Sequence, residues 1–175
     1  MSAETVLAFA AMSAVLVATP GPAVILVLKN AMLRGRGSAI VTGLGVLVAD
    51  LIWATASVVG LIALLVSSQF ALDAVRVAGA AYLLYLGVRL LRTKKFNMSV
   101  DPEAGRPSNV TPGRAFGEGL FCDLSNPKTV LIFASVIPQF LNASSSGSDA
   151  LVLGVVFATL GFASSVVYAL VFGAA

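Results

Sequence analysis

Histidine is absent from this 175-residue chain, cysteine occurs once (Cys122), and charged residues make up only 11%. Without histidine there are no imidazole metal ligands, no Ser–His–Asp triad and no imidazole proton relay. A single cysteine forms neither an intrachain disulfide nor a thiolate cluster, so no metal or other cofactor is expected. No G-x-x-x-x-G-K-[ST] loop is present, which argues against ATP-driven work within the chain. A soluble domain of this size carries about 25% charged residues. This chain has too few to cover a surface facing water.

What replaces charge is apolar surface: 58% of residues are hydrophobic and the mean hydropathy is +0.98. The few charges are clustered, leaving long uncharged runs. A helix rises 1.5 Å per residue, so about 20 apolar residues cross the ~30 Å hydrocarbon core. The expected fold is therefore all-α, a polytopic membrane helix bundle forming one domain over 1–175. Five spans are expected, at about 5–28, 38–66, 73–91, 115–141 and 150–172. The first run is too long for a signal peptide and lacks a basic leader. A short basic loop is expected at 29–37. The polar stretch 92–114, with breakers Asp101, Pro102, Gly105 and Pro107, reads as a flexible loop. Three N-x-S/T triplets, at Asn97, Asn109 and Asn142, read as chance matches.

Nine of the eleven basic residues flank the first and third loops: Lys29, Arg34, Arg36, Arg89, Arg92, Lys94, Lys95, Arg106 and Arg114. By the positive-inside rule that side is the cytoplasm, so the N-terminus is expected outside. The pI near 9.4 is thereby explained by an anionic leaflet rather than by nucleic acid.

Two expected helices carry breaks. Thr19-Pro20-Gly21-Pro22 interrupts the first and Asn126-Pro127-Lys128 the fourth. Proline lacks an N–H and clashes with the preceding turn, so each helix must kink or open. The two runs enter the membrane from opposite sides. Broken helices at matching places in inverted repeats point to a transporter's substrate site; a plain packing kink is the competing reading. A 3+3 repeat calls for six helices and only five are counted. The last helix is then missing, so either the chain is a truncated version of a longer one or the repeat does not hold.

The candidate substrate and proton pathway is Thr19, Pro20, Gly21, Pro22, Asp50, Asn126, Pro127 and Lys128. A charge at mid-membrane costs about 2.5–3.5 kcal/mol, so Asp50 is expected in a polar cavity or in an ion pair, with Lys128 its natural partner. Lys128 could instead meet a substrate carboxylate or snorkel to an interface. Asn126 suits the polar ends of a zwitterion, and Thr19 offers a hydroxyl. Glu118 and Asp123 read as solvated residues near the cytoplasmic face. Tyr82 and Tyr85 read as interfacial anchors, and Gly113-x-x-x-Gly117 as a weak homodimer signal.

These residues also carry a family resemblance. Thr19-Pro20-Gly21-Pro22 with the Arg34-Gly-Arg-Gly37 loop resembles the opening of the LysE/RhtB amino-acid exporters. Gly43-x-Gly45 to Asp50, Gly79 to Leu90, Phe116-x-x-Gly119, Ser125-Asn126-Pro127-Lys128 and Pro138-Gln139-Phe140 continue it in order. The resemblance covers nearly the whole chain. It implies six membrane helices and export of amino acids such as lysine, homoserine, threonine or leucine in exchange for protons. Relatives often carry a histidine shortly after the helix-two aspartate; Trp53 stands there.

The expected function is a secondary transporter exporting a small zwitterionic amino acid across the bacterial cytoplasmic membrane by proton antiport. Its expected partners are protons, lipid and, on the Gly113-x-x-x-Gly117 signal, a second copy. Two alternatives stand beside it. One is a truncated helical scaffold, and the other is a membrane enzyme using Asp50 and Asp123 as an acid/base pair, which requires both carboxyls at one centre.

Overall fold

The computed structural model describes residues 1–67, 77, 81, 110–142 and 145–173, all of them helical or in short connections. Helix α1 is Ala3–Ala18, opened by Ser2, whose hydroxyl accepts the Thr5 N–H at 3.2 Å. Helix α2, Pro22–Ser67, contains one non-helical residue, Gly35, at φ 83° and ψ 174°. Helix α3, Pro112–Leu124, carries proline at its first position. Helix α4, Pro127–Leu131, continues as a π turn over Ile132–Val136 and a 3-10 turn over Ile137–Phe140. Helix α5 is Gly147–Phe172, started by a Ser146/Asp149 capping box.

Gly35 corrects the loop expected at 29–37. The helix runs through Lys29 and Asn30 and reverses at one glycine, in the left-handed region open to a residue without Cβ. The reversal folds the two arms of α2 into a hairpin: Asn30 Nδ2 donates to Thr42 Oγ1 at 2.8 Å. Val27, Ala31, Ala39 and Ala169 form the small core at its tip. Helix α3 likewise starts three residues before the expected span, taking 112–114 out of the expected loop. The span expected at 73–91, with Tyr82 and Tyr85, and most of the 92–114 loop lie outside the described residues.

Among the described residues, Pro22–Gly60 and Gly147–Phe172 are long and apolar enough to cross a membrane. Pro112–Leu124 with Pro127–Phe140, bent by 48°, is a third span if counted as one. Apolar side chains such as Leu7, Val15, Val59, Phe121, Val167 and Val171 are exposed on several sides, which suits lipid rather than water. Between helices the contacts rely on missing side chains. A Cβ on Gly45 would overlap the Phe116 carbonyl, and one on Gly119 the Thr42 carbonyl, so α2 and α3 touch backbone to backbone. A Cβ on Gly113 or Gly117 would meet nothing within 4 Å among the described residues. The main core joins Phe9, Ile132, Phe133, Val136, Ile137, Leu153 and Phe157, with edge-to-face rings at 5.2 Å (Phe9–Phe140) and 5.6 Å (Phe133–Phe157).

Polar contacts gather at the two ends of this bundle. At one end the N-terminal ammonium lies 3.4 Å from Asp149. At the other, Glu118 binds Arg34 at 2.6 Å and Arg114 at 3.3 Å, and Arg36 donates to the Gly173 carbonyl at 2.9 Å. Helix α1 starts at the first end and α3 at the second, so they run in opposite senses. Glu118, read from sequence as solvated, is instead the acidic centre of that basic cluster.

Candidate functional site

The breaks in α1–α2 and α3–α4 lie against each other. At the first, the chain leaves α1 at Thr19, extended at φ −75° and ψ 122°, and re-enters a helix at Pro22. At the second, α3 ends at Ser125 and Asn126 caps α4, its Oδ1 accepting the Lys128 N–H at 3.1 Å. Lys128 then reaches back across the gap. Its Nζ donates to the carbonyls of Leu16 at 2.5 Å and Thr19 at 2.7 Å. Both carbonyls lie at the end of α1; that of Leu16 also accepts the Thr19 N–H at 3.1 Å.

A cavity of about 450 Å³, part of it open to its surroundings, lies beside this junction. Val17, Val24, Val46, Ile132 and Phe157 supply apolar wall; Asp50, Asp123, Asn126, Lys128 and Thr129 supply the polar side. Helix α5 presents Phe157, Gly161 and Ser165, one per turn. The absent side chain at Gly161 matters, because a Cβ there would sit 3.3 Å from Asp50 Oδ2. The few convergent polar groups set in an apolar wall are those of a small-molecule site.

Asp50 and Asp123 are each 2% exposed, and their side chains lie within hydrogen-bonding reach of each other. Asp123 Oδ1 accepts from Thr129 Oγ1 at 2.7 Å and from Asn126 Nδ2 at 3.1 Å. Among the described residues, no N–H or hydroxyl donates to its Oδ2 or to Asp50 Oδ1. Two acids, one ammonium and two open carboxyl oxygens thus meet at one small chamber. Such a set can hold a zwitterion and can keep a proton between the acids.

Of the residues singled out from sequence, Gly21, Asp50, Asn126 and Lys128 line the cavity. Pro20, Pro22 and Pro127 are exposed; they shape the breaks. Thr19 contributes its carbonyl, since its hydroxyl is returned to the Val15 carbonyl at 2.9 Å. Three expectations change. No ion pair within 4 Å joins Lys128 to Asp50 among the described residues, because the ammonium is already held by the α1 carbonyls. Each end of the Asn126 amide makes a bond within the protein, so the residue serves the break as well as lining the cavity. Asp123 is buried, not solvated. The signal missed was its spacing: Asp123, Asn126 and Thr129 recur every third residue, which brings two donors back to one carboxyl.

Comparison with known proteins decides the class. The family model of the LysE type translocator matches residues 14–175. The chain belongs to this translocator family. It is 29% identical over 156 residues to the uncharacterized membrane protein YrhP of Bacillus subtilis (strain 168), covering 86% of this chain and 74% of that one. It is 31% identical over 129 residues to the leucine efflux protein of Salmonella typhimurium (strain LT2), covering 74% and 59%. It is 29% identical over 123 residues to the threonine efflux protein of Escherichia coli (strain K12), covering 70% and 60%. The matched region thus spans about three-fifths of those efflux proteins. No solved structure matches the chain. Membership of the translocator family puts the protein among transporters and not enzymes. The juxtaposition that the enzyme alternative required, Asp50 beside Asp123, is present at the cavity.

Proposed function

We propose that this LysE-family protein exports amino acids across the cytoplasmic membrane in exchange for protons. The observation that carries this reading is the meeting of Asp50, Asp123 and Lys128 at a cavity between two oppositely directed broken helices. Efflux of leucine and of threonine by relatives of this chain supports an amino-acid cargo. In this reading the Lys128 junction receives the zwitterion, and the carboxyl pair carries the transported proton. The two halves rock about the breaks as inverted repeats, opening the chamber to each side in turn. Five spans, an outward N-terminus and the basic end of the bundle at the cytoplasm belong to the same proposal. A proton moving inward gains about 2.3 kcal/mol per 100 mV, enough to drive export against a gradient.

The test is efflux from cells preloaded with labelled leucine or threonine. Cells expressing the chain should release label at least about tenfold faster than cells expressing Asp50→Asn, and an imposed inward proton gradient should stimulate only the former. Equal efflux from the two would remove Asp50 from the coupling. Release no faster than from cells lacking the chain, for any amino acid, would overturn export itself.

A further inference from the structure

The hydrogen bonds at the first break say more than that a lysine is nearby. A helix that ends inside an apolar bundle leaves main-chain carbonyls in need of donors, and water cannot freely supply them. Here the Leu16 oxygen takes the Thr19 N–H, and it and the Thr19 oxygen, which has no other donor among the described residues, both bind a primary ammonium, Lys128 Nζ. The remainder of the Lys128 side chain runs past Gly21, where a Cβ would sit 3.3 Å from its Cδ and 3.8 Å from its Nζ. Val17, Gly21 and Lys128 all line the cavity, so the bound ammonium sits at its wall. The negative end of the α1 dipole favours any cation placed there. None of this selects lysine over another primary ammonium of the same size.

We infer that the Leu16 and Thr19 carbonyls form an ammonium subsite, which Lys128 occupies as a tethered stand-in that the substrate's own α-ammonium displaces. This rests on the reading of the cavity as the transport site. Displacement frees a cation within a few ångströms of the incoming molecule, where the substrate's α-carboxylate needs one. The exchange keeps the charge of the subsite constant: one ammonium leaves as another arrives. The empty chamber is thereby never left with bare carbonyls, and the tether returns after release. Selectivity follows, since a carboxylic acid lacking the amino group cannot take the subsite.

The test is binding of n-butylammonium, a bare primary ammonium, to the purified protein in detergent. A tethered competitor acts at an effective concentration of millimolar order, so Lys128→Met should bind n-butylammonium at least about tenfold more tightly than the parent. Lys128→Arg, which keeps a tethered cation, should not. In the parent labelled with 15N at lysine Nζ, the Lys128 resonance, identified by its loss in Lys128→Arg, should move on adding n-butylammonium or leucine. It should stay fixed with 4-methylpentanoate, which is leucine without its amino group. Unchanged or weaker n-butylammonium binding in a folded Lys128→Met would overturn the inference. So would an immobile Lys128 signal in the parent, which decides the matter if that variant does not fold. Neither readout needs net export: a chain that exports nothing but shows displacement retains the subsite, and one that exports without displacement loses only this inference.

Discussion

The two breaks that frame the cavity open in different ways. At 125–126 the break closes on itself through side chains. Asn126 caps α4 and donates to Asp123, and Thr129 donates to the same carboxyl oxygen. At 19–21 the broken end is served partly from within, by the Thr19 N–H on the Leu16 carbonyl at 3.1 Å, and partly from α5, by Tyr168 Oη on the Ala18 carbonyl at 3.5 Å. The Thr19 hydroxyl turns back to the Val15 carbonyl, and the Leu16 and Thr19 carbonyls also take the ammonium of a lysine from the other break. One break is completed by its own residues; the other also draws on an ammonium from across the gap, a partner that can be exchanged. In an alternating-access device the second kind is where a ligand can enter, because the protein's own donor can be exchanged for the ligand's.

That contrast can be broken most severely at Asp123. Asp123→Ala leaves the Asn126 amide and the Thr129 hydroxyl buried with no acceptor, at about 1–3 kcal/mol each, and removes one of the two acids. Efflux should fall at least about a hundredfold and the melting temperature in detergent should drop by several degrees. Asp123→Asn, which still offers a carbonyl oxygen, should recover much of the melting temperature but not the efflux. Recovery of both would reduce Asp123 to a structural acceptor and leave Asp50 to carry the proton alone.

A smaller effect separates the two breaks directly. Asn126→Ala removes a helix cap, at about 1 kcal/mol. Thr19→Val, which removes only a hydroxyl bound to its own helix, should stay within about 0.5 kcal/mol of the parent. The same thermal-melting series reads both. Equal losses would mean that the first break also depends on its side chain, and the contrast between the two would disappear.

The breaks themselves were legible because proline announces them locally, and the apolar runs announced a membrane bundle for the same reason. Asp50 stood out as the one acid in its run. The reversal at Gly35 was harder to place, because Lys29, Arg34 and Arg36 look like a loop. A charged helical hairpin tip has the same composition. Asp123 was misread because proximity to a polar loop suggests solvent, whereas its helix packs along α2, distant in sequence, beside Asp50. The Lys128 bond to Leu16 and Thr19 joins residues more than a hundred positions apart to main-chain atoms. No side-chain pattern encodes a carbonyl, so that contact lay beyond sequence reasoning, while Gly21, which makes room for it, was visible only as part of a proline motif.

Gly21 also gives the finest test of the difference between the breaks. A Cβ at this position meets Lys128 Cδ at 3.3 Å and nothing else within 4 Å except Lys128 Nζ at 3.8 Å. The added methyl group therefore presses on one flexible side chain, which must give by a few tenths of an ångström. Gly21→Ala should cost about 0.5–1 kcal/mol of stability, partly offset by the lower entropy of the unfolded chain, and should raise n-butylammonium affinity severalfold by loosening the tether. Combined with Lys128→Met the penalty should vanish, because the atoms it presses on are gone. The double-mutant cycle then shows a coupling of about 0.5 kcal/mol or more between residues over a hundred positions apart. Asn126→Ala with Gly21→Ala should instead be additive within about 0.3–0.5 kcal/mol, since the cap bonds of the second break do not involve the tether. Coupling in the second pair and none in the first would mean that the two breaks act as one rigid unit, with no exchangeable partner between them.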